Sequence, residues 1–375
     1  MIYFDNGATT YPKPREVLRR MYHTMKYAGG NAGRGGHDLA DGASEVIYRC
    51  RESVCNLFGI ENSMEVCFTY NATMAMNFAI KGVLKPGDHV ILSPLEHNCV
   101  MRPVYKLSQA GVEYTVMPSD QAGRVSQWEN EIKENTKLII VNHASNVMGT
   151  IAPIREIGKI AHRHGILFLV DTSQSAGHIS VDVEADHIDM LACSGHKGLF
   201  GPQGTGILFI RSEIQTDTIM EGGTGSMSQM LEQPLILPDR FESGTLNAPG
   251  IAGLGAGIEF VLHQGIPKLR KHELILTETL LRGLSAIPGA VVYGPQNAEE
   301  MVGVVGFNLG NWDSVNLCSY LNDKYKVMLR GGLHCSYLAH KTAGTLDKGC
   351  ARASLSYFNT RKEVEKFLNI IDMLS

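Results

Sequence analysis

The sequence has no excess of charge of either sign. Its 34 Lys and Arg nearly balance 38 Asp and Glu, leaving a formal net charge of −4. Such a chain has no electrostatic footprint for nucleic acid or for an anionic membrane surface. Long apolar runs are also missing, and none reaches the roughly 18 residues needed to span a bilayer. The opening stretch, MIYFDNGATT, lacks the basic start and apolar middle of a signal peptide, so a cytoplasmic location is expected. The eight cysteines (Cys50, Cys55, Cys67, Cys99, Cys193, Cys318, Cys335 and Cys350) include no CxxC pair. A disulfide framework is not expected in a chain of this length, and most of these thiols read as reduced and buried. Repeats and low-complexity segments are absent. What is present is globular composition, 44% hydrophobic over 375 residues, enough for one large and one smaller domain.

The middle of the chain alternates two kinds of segment. Short β-branched runs at 89–92 (HVIL), 138–141 (LIIV) and 166–170 (ILFLV) are too short for helices and read as buried strands. Between the last two, Ile154, Ile157, Ile160 and Ala161 recur at helical spacing over 154–164, with Pro153 at the helix start. This alternation predicts βαβ units and a mostly parallel sheet flanked by helices. After residue 250 the character changes. The segment 251–262 and a long polar helix candidate over 268–284 precede alternating segments at 302–309 and 351–357. The expected organisation is a large α/β domain over 16–250 and a smaller α+β domain over 251–375. The segment 1–15 is expected to pack with the smaller domain.

Three segments carry chemistry. The strand ILFLV ends directly on Asp171, and in open α/β sheets ligands bind beyond the carboxyl ends of strands. A second strand runs into Ser194, Gly195, His196 and Lys197, followed by a glycine-rich loop and another strand. A lysine held there by burial has a lowered pKa and a nucleophilic neutral amine. Asp171 and Lys197 together supply a carboxylate for a pyridinium nitrogen and an amine for an aldehyde, which is the pairing that pyridoxal-5′-phosphate (PLP) requires. A phosphate needs backbone N–H groups at a helix start, and Asn71, Ala72 and Thr73 precede an apolar helix expected to begin near Met74. Ser194 and His196 add donors. The GLGAG at 253–257 follows no strand and is not a dinucleotide signature.

These segments resemble the class V aminotransferase-fold enzymes, and within them the cysteine desulfurases and selenocysteine lyases. The resemblance covers YFDNGAT at 3–9, Glu96-His97, SNVMGT at 145–150, DTSQ at 171–174, SGHK at 194–197, FESGTLN at 241–247, RGGLHC at 330–335 and RASLSYFNT at 352–360. It implies the PLP fold type I and assigns roles by position. Lys197 matches the lysine that carries the cofactor, Asp171 the partner of its ring nitrogen, and Gln174 a donor to its phenolic oxygen. His97 matches the residue stacked on the ring, with Asn146 near its edge. Thr73, Ala72, Ser194 and His196 match phosphate contacts, and Thr245 a phosphate contact from the neighbouring subunit of a homodimer. Arg352 matches the substrate-carboxylate arginine, and Arg330 lies on the substrate side. Arg352, Ser354 and Ser356 share one strand face, with Ala353, Leu355 and Tyr357 on the other.

Cys335 decides the expected reaction. Its RxGxHC context resembles the group II branch, in which a thiolate takes sulfur from L-cysteine, leaving L-alanine and a persulfide. His334 or Arg330 is expected to lower its pKa. A partner protein or small thiol would then accept the sulfur. Selenocysteine lyase, or another class V enzyme such as a small-molecule aminotransferase or C–S lyase that makes no use of Cys335, is the alternative. No metal is expected. Ser336, Met74, Tyr70 and the pair Gly33-Arg34 depart from the group II pattern, as does AHKTAGTLDKG at 339–349.

Overall fold

The computed structural model describes residues 1–33 and 35–375; Arg34 lies outside the described residues. In chain order the strands are β1 (Ile2–Tyr3), β2 (Val66–Thr69), β3 (His89–Leu92), β4 (Glu113–Val116), β5 (Thr136–Asn142), β6 (Leu167–Asp171), β7 (Met190–Ser194), β8 (Gly206–Ile210), β9 (Ala290–Tyr293), β10 (Val304–Leu309), β11 (Val327–Met328) and β12 (Ala351–Ser354). Seven of them form one sheet in the order β2-β8-β7-β6-β5-β3-β4. The pairs from β7 through β4 are parallel, while β8 runs antiparallel to both its neighbours.

The strands are apolar on both faces because helices cover both. In β5, Ile139 and Val141 join one core, and Leu138 and Ile140 join the other. The first core is closed by the helices Asp38–Phe58, Ile154–Arg163 and Ala248–Gln264, and the second by Ala72–Val83 and Asn98–Ser108. The residue-2 period of a strand sorts alternate side chains in this way. The expected helix over 154–164 is present with Pro153 as its N-cap, and Ile154, Ile157 and Ala161 are buried. The helix expected near Met74 begins at Ala72, because the Asn71 carboxamide accepts from Met74 N–H and caps it.

A second unit is built on the antiparallel sheet β12-β10-β9 and the helices Ile266–Ala286 and Arg361–Asp372. Its core contains Leu276, Leu280, Val305, Phe307, Ala353 and Phe367. The N-terminus joins this unit: β1 pairs with β11, and Ile2 and Phe4 enter its core. Ile251, Leu254, Ile258 and Val261 belong instead to the core under the large sheet, so the expected passage near residue 250 falls within a helix that packs on the large sheet. The two cores divide along the next helix, between Leu269 and Leu276.

Candidate active site

The parallel strands β5, β6 and β7 end on Asn142, Asp171 and Ser194, and all three reach one cleft of about 210 Å³. The cleft also meets the N-terminal segment at Gly7 and Ala8, the helix start at Asn71, Ala72 and Thr73, and the second unit at Arg330, His334, Cys335 and Arg352. Residues up to 345 positions apart converge because both units turn their strand ends toward the same space. Of the residues expected from sequence, Lys197, Cys335, His97, Thr73, Ala72, Asn146, Asp171, Gln174, Ser194, His196, Arg352 and Arg330 line it. Thr245 is exposed and does not line it.

Lys197 sits in the reversal between β7 and the antiparallel β8. Burial lowers its pKa, Asp171 partly offsets this, and Arg352 lowers it further. The result is an amine with a larger neutral fraction than a free lysine. Asp171 is 3% exposed. Its Oδ1 accepts from Ser173 N–H at 2.9 Å, and its Oδ2 accepts from the Cys99 thiol at 3.7 Å. Cys99 is a contact that spacing does not signal, since it lies on a different helix. Gln174 donates to the Gly7 carbonyl at 2.9 Å, which ties the cleft floor to the N-terminal segment.

His97 is the N-cap of the helix Asn98–Ser108, and its Nδ1 accepts from Cys99 N–H at 3.1 Å. That bond places the ring proton on Nε2. Burial and Lys197 push the His97 pKa down to about 4, so the ring is neutral. His196 is likewise pushed down to about 4, mainly by burial. Its carbonyl accepts from Lys13 Nζ at 2.7 Å, a lysine not singled out from sequence.

The amides at the start of the helix Ala72–Val83 face the cleft. Helix-start N–H groups not used by the cap are ready anion donors. Gly206 makes their approach possible, because a Cβ there would lie 2.5 Å from the Asn71 carbonyl carbon. Tyr70 is 51% exposed at the rim, and Met74 packs against the second core.

Arg352 is 2% exposed on β12. Its Nη1 donates to the Asn146 carbonyl at 2.9 Å and its Nη2 to Asp5 Oδ1 at 2.9 Å, while Nε has no protein partner. Gly7 lets the guanidinium pass, since a Cβ there would be 3.2 Å from its central carbon. Ala353 and Leu355 point the other way, into the small core.

Cys335 is the exposed member of the eight cysteines. It lies on a turn in which His334 (φ 48°) and Cys335 (φ 56°) both adopt the left-handed region. Such backbone costs on the order of 1 kcal/mol per residue and persists only where neighbours hold it. Here Asn146 Nδ2 donates to the His334 carbonyl at 2.8 Å, and Asn98 N–H donates to the Cys335 carbonyl at 2.8 Å. Ser336 Oγ adds a bond to the Glu96 carbonyl at 3.2 Å. His334 was expected to act as a positive neighbour of Cys335, and its surroundings do not allow it. His334 is no cation for the thiol: burial, with Arg352 nearby, pushes its pKa down to about 3, and its Nε2 bonds the Cys350 carbonyl at 3.0 Å. Arg330, exposed at the cleft, is the remaining positive neighbour.

The family model described as "Aminotransferase class-V" matches residues 2–367. A probable cysteine desulfurase of Methanothermobacter thermautotrophicus is 36% identical over 97% of this chain and 92% of its own. One of Pyrococcus abyssi is 34% identical over 100% of this chain and 94% of its own. The apo structure of a cysteine desulfurase from Thermococcus onnurineus NA1 superposes with a TM-score of 0.92 at 33% identity, covering 100% of this chain and 94% of that one.

Proposed function

We propose that this chain, which belongs to the class V aminotransferase family, is a PLP-dependent cysteine desulfurase that converts L-cysteine to L-alanine and keeps the sulfur as a persulfide on Cys335. The observation that carries the reading is the convergence of Lys197, Asp171, Arg352 and Cys335 on one cleft.

The cleft's chemistry suits the cofactor. Asn146 Oδ1 and His196 Nδ1 are buried polar atoms without protein partners, and both residues line it. Unpaired buried polar atoms are costly, and a polar ligand relieves them. Ala72, Thr73, Ser194 and His196 would hold the phosphate, Asp171 the ring nitrogen, Gln174 the phenolic oxygen, and His97 the ring face. PLP supplies an aldehyde for the Lys197 amine and a ring that withdraws electrons from the substrate's Cα.

The chain's own groups do the rest. Arg352 binds the substrate carboxylate, with Arg330 beside it and Asn146 at the cofactor's edge. The Lys197 amine, partly neutral for the reasons above, takes the Cα proton. The Asp171 carboxylate would pair with the ring nitrogen. The Cys335 thiolate attacks the substrate sulfur: an S–S bond forms, the C–S bond breaks, and its electron pair goes to the substrate's Cβ, which a proton then completes. Lys197 returns a proton to Cα, alanine leaves, and Cys335 carries one more sulfur. Exposure on a turn lets an acceptor, a protein or a small thiol, reach that sulfur.

The proposal includes a homodimer. Thr245 is exposed and does not line its own chain's cleft, and exposed Leu231, Leu235 and Ile236 lie on the same stretch of chain, an apolar surface suited to a second copy. Among the described residues no helix is long and apolar enough to cross a membrane. Eight free cysteines suit the reducing cytoplasm.

The test assays alanine and sulfide from L-cysteine with the wild type and Cys335→Ala, together with mass spectrometry of the Cys335 peptide during turnover. The expected result is a peptide heavier by one sulfur and a loss of turnover in the variant. Undiminished turnover in Cys335→Ala would sink the persulfide step. Lys197→Ala is expected to lack the visible absorption of the lysine-bound cofactor.

A further inference from the structure

Behind the Cys335 turn lies a buried cluster that the proposed reaction leaves unused. One nitrogen each of His334 and His340 and the Cys350 sulfur lie within 4.8 Å of one another, and all three residues are buried. His340 Nδ1 bonds Thr345 Oγ1 at 2.7 Å, and His334 Nε2 bonds the Cys350 carbonyl at 3.0 Å. The other ring nitrogens, His340 Nε2 and His334 Nδ1, have no partner. His340 is 0% exposed and His334 6%. An unpaired buried polar atom costs about 1–3 kcal/mol, so the unpaired His340 Nε2 beside a thiol calls for an occupant.

We infer that His334, His340 and Cys350 form a site for a soft monovalent metal ion, Cu⁺. Metal–donor bonds of about 2.0–2.3 Å hold N and S donors roughly 3.4–3.8 Å apart. The His334 Nε2 to Cys350 Sγ distance is 3.6 Å, already in that range, and an ion there replaces the Nε2 bond to the Cys350 carbonyl and leaves the ring proton on Nδ1. The two imidazole centroids are 5.6 Å apart, with their planes 26° from parallel. Two nitrogens and a thiolate are soft donors that favour Cu⁺ and Zn²⁺ over hard cations.

Charge decides between those two. The cluster holds no carboxylate, and the Arg352 guanidinium bears on both His334 and Cys350. A divalent ion with one thiolate would leave a buried net positive charge beside Arg352, which is unfavourable. Cu⁺ with the Cys350 thiolate is neutral. Binding replaces the thiol proton: Cu⁺ joins sulfur, one proton leaves, and no electron moves. An ion there ties the turn bearing Cys335 to the strand bearing Arg352. The site does not rest on the desulfurase reading, and its test reads metal rather than turnover.

Reduced holoenzyme is titrated anaerobically with Cu⁺ against a chromophoric Cu⁺ chelator, with a parallel Zn²⁺ arm. The expected result is one tight Cu⁺ per chain, retained in Cys335→Ser and weakened at least about tenfold in Cys350→Ser and in His340→Gln. The visible cofactor absorption reports that each variant is folded, and His340→Gln carries the test if Cys350→Ser is not. Absence of tight Cu⁺, its loss in Cys335→Ser alone, its indifference to both cluster variants, or its displacement by equimolar Zn²⁺ would each overturn the assignment.

Discussion

Glu96 gives the sharpest quantitative prediction. It is 0% exposed, and its Oε1 accepts from Ser93 Oγ at 2.6 Å and from Asn142 N–H at 2.6 Å. Its Oε2 has no partner. Burial, reinforced by the neighbouring Asp171, raises its pKa from 4.5 to about 8, against the bonds from Ser93 and Asn142. The folded protein therefore holds this proton over a range in which the unfolded chain has lost it. Stability that is fully present below about pH 4.5 is lost as the pH rises toward 8. Integrated from pH 5 to 8, the loss is about 3 kcal/mol. A chain of this length unfolds with an entropy near ~0.8 kcal/mol/K, so the loss corresponds to ~4 °C in Tm. Glu96→Gln keeps the Oε1 acceptor and cannot titrate. The assay is the thermal midpoint of wild type and variant at pH 5 and pH 8 with saturating cofactor, at one scan rate. Between those pH values the variant should gain ~4 °C on the wild type. A Tm difference that stays constant with pH would refute the protonated Glu96.

Two further outcomes follow from side-chain contacts. Arg352→Lys cannot keep both the Asn146 and Asp5 bonds while reaching a carboxylate, so KM for L-cysteine should rise about 10-fold to 100-fold with a smaller change in kcat; steady-state kinetics with an unchanged KM would remove Arg352 from substrate binding. Cys99→Ala deletes the thiol donor to Asp171 and should weaken cofactor retention by up to about tenfold, while Cys99→Ser restores it; a dialysis assay showing equal retention in all three proteins would make Cys99 a packing residue only.

Much of the active site was legible in the sequence because its residues lie at the ends of recognisable elements. Asp171 ends an apolar strand, Lys197 follows another, and Thr73 lies in the first turn of a helix, so a local pattern located each of them. Periodicity also located β3, the middle of β5, and the helix after Pro153. The expected change near residue 250 followed composition, whereas the helix Ala248–Gln264 follows its packing partners, and composition carries no information about which sheet a helix covers. Thr245 was expected to reach the phosphate of a neighbouring subunit; it does not line its own chain's cleft, and a single chain carries no information about contacts across an interface.

The sequence by itself determined the chemistry available to Lys197, Asp171, Arg352 and Cys335, because residue type and position along a strand or turn are local properties. Only the tertiary structure decided the protonation of their neighbours. Burial makes Glu96 an acid that keeps its proton and His334 a neutral ring rather than a cation for Cys335. It was likewise tertiary packing that put the Cys99 thiol on Asp171 and assembled His334, His340 and Cys350. Desolvation depends on everything packed around a group, and these contacts join residues that no local pattern links.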